Sequence, residues 1–104
     1  MGAAMAYDPG ALEGTLTAAI GEQPLLIAEL RTVFFEAAEH HLVALRGAPD
    51  AVEWRLAAGR LNGLAASFGA LRLMGVAAQA MRADRVDPVM LVRIERTVAR
   101  LREA

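Results

Sequence analysis

Large apolar residues recur along this chain with the three-to-four-residue step of helices that bury one face. The clearest run is Ala51 to Phe68. There Trp54, Leu61, Leu64 and Phe68, with Ala57, Ala58 and Ala65 between them, form one apolar side. At about 1.5 Å per residue this helix spans roughly 27 Å. The same step predicts a short helix over Pro9–Ile20, with Leu12, Leu16 and Ile20 inward. A long one is expected over Pro24–Arg46, with Ile27, Leu30, Phe34, Ala38, His41 and Leu45 inward, flanked by Leu26, Val33, Ala37 and Leu42. Two more are expected, over Leu71–Ala83 (Leu73, Met74, Ala77 and Met81 inward) and Pro88–Leu101 (Val89 or Met90, Leu91, Ile94, Val98 and Leu101 inward).

The residues between these runs are helix punctuation. Asp8-Pro9, Gln23-Pro24 and Asp87-Pro88 each put proline at the first helical position, where its missing N–H costs nothing. Asp50 with Glu53 three residues later is a capping-box variant. Gly21, Gly47-Ala48-Pro49, Gly69 and Asp84-Arg85-Val86 are the breaks. No stretch alternates apolar and polar residues over a useful length, so no strand is expected. The connections between the last four helices are short, which favours antiparallel neighbours. The expected fold is all-α: an antiparallel four-helix bundle with a short extra N-terminal helix. Residues 1–7 are expected to be a flexible tail, and 8–104 a single domain.

Composition narrows the function classes. The 104 residues carry no cysteine, which removes disulfides, thiolate nucleophiles and cysteine-based metal sites. Eleven basic and twelve acidic residues leave a net charge of −1, too little to draw nucleic acid or an anionic membrane. The start, Met1 to Gly10, lacks the charged and apolar segments of a secretion signal, and the expected location is the cytoplasm. The most apolar window, Leu61 to Met81, is interrupted by Asn62, Ser67, Arg72 and Gln79 and makes a poor membrane span.

The back of the Ala51–Phe68 helix is unusual. It carries Arg55, Gly59, Asn62, Gly63 and Ala66, small residues where a solvated face normally carries charge. Each interior glycine costs a helix about 0.5–1 kcal/mol relative to alanine. A close approach of another chain segment to this backbone would account for both.

The segment Ala57-Ala58-Gly59-Arg60-Leu61-Asn62-Gly63-Leu64-Ala65-Ala66-Ser67-Phe68-Gly69-Ala70 resembles the signature helix of the histidine-containing phosphotransfer (HPt) family, A-H-x-L-K-G-x-A-x-x-x-G-A. Leu61, Gly63, Ala65, Gly69 and Ala70 match it. The phosphorylated histidine of the family falls on Gly59 and its phosphate-supporting lysine on Asn62, so the scaffold matches and the chemistry does not. The resemblance extends over roughly Glu22 to Leu101. It implies a degenerate HPt module of bacterial two-component signalling, not an enzyme, that binds a response-regulator receiver domain or a histidine kinase without carrying phosphate. Its partner-binding residues would be Arg55, Gly59, Arg60, Asn62, Gly63 and Ala66, with Arg55 and Arg60 pairing with acidic groups of a receiver.

Two alternatives stand beside that reading. His40 and His41 are the only histidines, and antiparallel packing would set them about 6 Å along the axis from Gly59. Either could serve an active phosphotransfer protein, although His41 falls in the apolar stripe and His40 on the solvated face. The other alternative is a bundle that self-associates through the small strip and has no signalling role. Adjacent histidines diverge on a helix, so no metal site is expected, and no cofactor.

Overall fold

The computed structural model describes residues 12–103. It contains five helices: α1 (Leu12–Ile20), α2 (Pro24–Arg46), α3 (Ala51–Phe68), α4 (Leu71–Ala80) and α5 (Pro88–Glu103). No strand occurs among the described residues. The expected Asp8-Pro9 helix start and the tail before it lie outside them. None of these helices is long and apolar enough to cross a membrane.

The limits of α2 and α3 agree with the punctuation. Asp50, in extended backbone, accepts the Glu53 N–H at 2.9 Å and closes the start of α3. The Asp87 carboxylate accepts the N–H groups of Val89 and Met90 at the start of α5. At the other end of α3, Gly69 takes a left-handed conformation with φ 68°, and the Ala70 N–H bonds back to the Ala65 carbonyl at 2.8 Å. A Cβ at Gly69 would stand 2.5 Å from Cγ2 of Thr15 on α1. Gly69→Ala should therefore lose at least about 1–2 kcal/mol in a denaturant melt, from backbone strain alone.

Helices α2 and α3 pack together, α3 packs on α4, α4 on α5, and α5 closes on α2; α1 lies across α2 and α3. One core runs through all five: Leu12 and Leu16; Phe34, Phe35, Ala38, Leu42 and Leu45; Trp54, Ala57, Ala58, Leu61 and Ala65; Leu73, Ala77 and Ala80; Ile94, Val98 and Leu101. Leu64, Phe68, Met74, Met90 and Leu91 are partly buried against it. Of the positions flanking the inner face of α2, Leu26 and Val33 are exposed; of Val89 and Met90 it is Met90 that packs on the core, and Val89 is exposed. Phe35, which the period left outside, is buried, because Arg31 and Arg102 each lay a guanidinium over its ring, 4.8 and 4.9 Å from the centroid. Arg31 also donates to the Leu101 and Arg102 carbonyls at the end of α5, where a cation suits the helix dipole.

Helix α4 stops at Ala80, three residues short of the expected Ala83. Its exit tightens into i→i−3 bonds, Arg82 N–H to Gln79 and Ala83 N–H to Ala80. Two side chains of α3 take carbonyls there: Trp54 Nε1–H donates to Ala80 at 3.1 Å and Arg55 to Ala83 at 2.9 Å. Met81, expected inward, consequently lies at the surface with 41% exposure.

Candidate functional site

The outer side of α3 divides into a centre and two edges. At about 100° per residue, the sector within about 60° of the direction away from the core holds Val52, Leu56, Gly59, Gly63, Ala66 and Ser67. Val52 is 55% exposed and Leu56 48%; Gly63, Ala66 and Ser67 are exposed and Gly59 is half-buried. None of the six carries a charge. Even the Ser67 hydroxyl is turned inward along the helix, donating to the Gly63 carbonyl at 3.0 Å. The result is an apolar strip along the axis of α3. A Cβ added at Gly63 would meet nothing within 4 Å, so nothing in the fold requires glycine there. At Gly59 a Cβ would find only Cε of Met81, at 3.8 Å, an ordinary contact.

The edge toward α4 is tied down. Asn62 donates its amide to the Met74 carbonyl at 3.0 Å, and Arg55 is held by Ala83. Arg55 and Asn62 thus serve the α3–α4 contact, whereas Gly63, Ala66 and Arg60 are open to solvent. Among the six residues named from the sequence, the structure therefore separates an anchored pair from an open set, with Gly59 between them under Met81. Val52, Leu56 and Met81 also belong to the open surface, beyond the residues named from the sequence. Val52 and Leu56 were discoverable, since they stand eleven and seven residues before Gly63 on the same sector. Met81 was not, because its exposure follows from where α4 ends.

The edge toward α2 carries the exposed Arg60 and, two turns earlier, the exposed Glu53. Arg60 is exposed and close enough to act electrostatically on His41, which is half-buried on the facing side of α2. The His40 and His41 rings meet edge to face with centroids 5.6 Å apart, and His40 is exposed. Burial, then the like charges of His40 and Arg60, hold the His41 imidazole below its ordinary value of 6.5. The sign of the linkage follows. A histidine with a depressed folded pKa binds more protons unfolded than folded, so stability falls as pH drops from about 6.5 through the folded value. His41→Gln should flatten that fall: between pH 7 and 5, its melting temperature should drift less than that of the parent protein.

Comparison with protein-family models, with curated proteins and with solved structures gives no match.

Proposed function

We propose that this chain is a pseudo-HPt interaction module: an antiparallel four-helix bundle, with α1 as an added cap, that docks a receiver domain or a histidine kinase through α3 and carries no phosphate. The observation that carries the reading is the uncharged strip centred on Gly63. A glycine in mid-helix, on an exposed face, with open space over it, weakens the helix and does nothing for the core. A partner that approaches the backbone closely gives it a use. The antiparallel order is supported by two contacts between α2 and α5: Arg46 meets Glu95 at 2.7 Å near one end, while Arg31 reaches the Leu101 carbonyl near the other.

The absence of phosphate chemistry follows from the side chains at the signature positions. Gly59 offers no nucleophile, and Asn62 is spent on the Met74 carbonyl. A bacterial phosphorelay component of this kind would act by occupying a regulator, not by passing phosphate to it.

The experiment is a panel of purified receiver domains, tested for binding and for transfer of labelled phosphoryl groups. Binding without label on this chain is the expected result. Acid-labile label that disappears in His40→Ala or His41→Ala would favour an active phosphotransfer protein instead. Binding to no receiver and no kinase, with dimers in sedimentation, would favour self-association. In the double variant Gly59→His, Asn62→Lys, position 59 has room for a Cβ but the Asn62 bond to Met74 is lost, so its melt is recorded first; gain of label there would place the family's phosphate site on α3.

A further inference from the structure

The net charge of −1 hides a separation along the chain. Residues 12–46 carry Glu13, Glu22, Glu29, Glu36 and Glu39 against Arg31 and Arg46, whereas residues 71–103 carry seven arginines against Asp84, Asp87, Glu95 and Glu103. Between them, Asp50 and Glu53 offset Arg55 and Arg60. Part of each excess forms a row on one helix, and the two rows have the same spacing. On α2, Leu25 is followed four and eleven residues later by Glu29 and Glu36; on α5, Val89 is followed four and eleven residues later by Arg93 and Arg100. At about 100° per residue, these steps keep each row on one side of its helix. Leu25 and Val89 each follow the proline that starts their helix. They are 84% and 73% exposed, more than any other large apolar residue among those described.

All four charged side chains of the rows are exposed. Glu29, Glu36 and Arg100 make no ion pair or hydrogen bond among the described residues, and Arg93 donates to the neutral Gln79 at 3.0 Å. Arg96, between the two arginines, is likewise exposed and unpaired. The remaining charges of the two helices are engaged, with one exception. Arg46 holds Glu39 and Glu95, and Arg31 and Arg102 lie over Phe35. The exception is Glu103, exposed just past Arg100, which subtracts from the basic row at its end.

We propose that the two rows meet in a head-to-tail contact between copies of this chain, α2 of one copy lying parallel to α5 of the next. In that alignment Leu25 is level with Val89, Glu29 with Arg93 and Glu36 with Arg100, and the two charge pairs stand about 10.5 Å apart along both axes. The occupant follows from the complement: a second copy offers an aliphatic side chain and two opposite charges at the required spacing on a helix. Packing α2 on α2, or α5 on α5, would set like charges against each other and is disfavoured. The contact is heterologous, because the acidic and basic rows are different surfaces of one molecule. Each added copy leaves one row of each kind open, so the assembly extends or closes into a ring. Exposed charge pairs are individually weak and screened by salt, so assembly needs concentrated protein and low ionic strength. Helix α3 takes no part, and one particle then presents several α3 faces at once.

Sedimentation equilibrium on the full chain, from dilute to millimolar protein, tests this at low salt and at about 0.5 M salt. The mean mass of the parent should climb past that of a dimer at low salt and return to the monomer at high salt. Glu29→Gln with Glu36→Gln keeps the basic row, and Arg93→Gln with Arg100→Gln keeps the acidic one. Each double variant should melt like the parent and stay monomeric alone. Mixed in equal amounts, the two should form a heterodimer and stop there, since each brings one intact row. Glu53→Gln with Arg82→Gln, exposed charges off both rows, should assemble as the parent does. So should Gly63→Leu, which separates this contact from self-association through the α3 strip. A parent that stays monomeric at low salt, a row variant that still assembles, a mixture without heterodimer, or loss of assembly in Gly63→Leu or in the off-row variant would overturn the proposal. Receiver binding is read in a separate experiment, and neither result decides the other.

Discussion

Trp54→Ala should cost the fold about 3–5 kcal/mol, the largest stability loss expected from any single truncation in the chain. The indole is fully buried and is the largest side chain in the core. Its ring fills the space where α3 meets α4, and its Nε1–H takes the Ala80 carbonyl at the point where α4 ends. Alanine removes both the packing and the bond. Trp54→Phe separates the two contributions: it keeps much of the apolar volume and loses the donor, for about 0.5–1.5 kcal/mol from the bond, plus whatever misfit the smaller ring brings. Urea melts of the two variants check the division. If Trp54→Phe costs as much as Trp54→Ala, the indole bond governs the end of α4. A negligible cost for Trp54→Ala would contradict the burial described here.

The parts of this fold that were legible in the sequence are those set by local chemistry. Proline at the first position, aspartate caps and a left-handed glycine fix the ends of α2 and α3, and they act within a few residues of where they stand. What could not be read depends on neighbours distant in sequence. The end of α4 is governed by Trp54 and Arg55, more than twenty residues earlier. Phe35 becomes core because the last turn of α5 brings Arg102 over it. The candidate site shows the same division. Glycine and alanine on the back of α3 were visible as a pattern. That Asn62 and Arg55 turn to α4 while Arg60 stays open to solvent required knowing on which side each helix lies. Val52 and Leu56 need no such knowledge: helical periodicity alone puts these two exposed branched side chains on the sector of the small residues.

Gly63→Leu is the other substitution with a large expected effect, and its effect falls on binding instead of folding. Nothing lies within 4 Å of a Cβ at the position, so a leucine side chain leaves the helix into open space. Replacing a helix-interior glycine should add up to about 1 kcal/mol of stability. The same side chain stands on the strip that a partner must approach, midway along the uncharged sector. Affinity for a bound receiver should drop at least tenfold, about 1.4 kcal/mol, because four extra heavy atoms occupy the contact plane. Leu56→Arg acts on the same strip from the other direction, adding a desolvation cost and a charge, and should weaken binding while the melt stays near that of the parent protein.

The central claim is that the Gly63 strip of α3 is a docking face and not a by-product of helix packing. The most direct measurement is the affinity of a receiver domain for the parent protein and for Gly63→Leu, made on preparations whose thermal melts are recorded first. The account predicts a melting temperature equal to or above that of the parent, with receiver binding reduced at least tenfold. An unchanged affinity in a normally folded variant would contradict it, since the partner would then dock elsewhere, and so would a variant that no longer folds, since the strip would then be an internal contact.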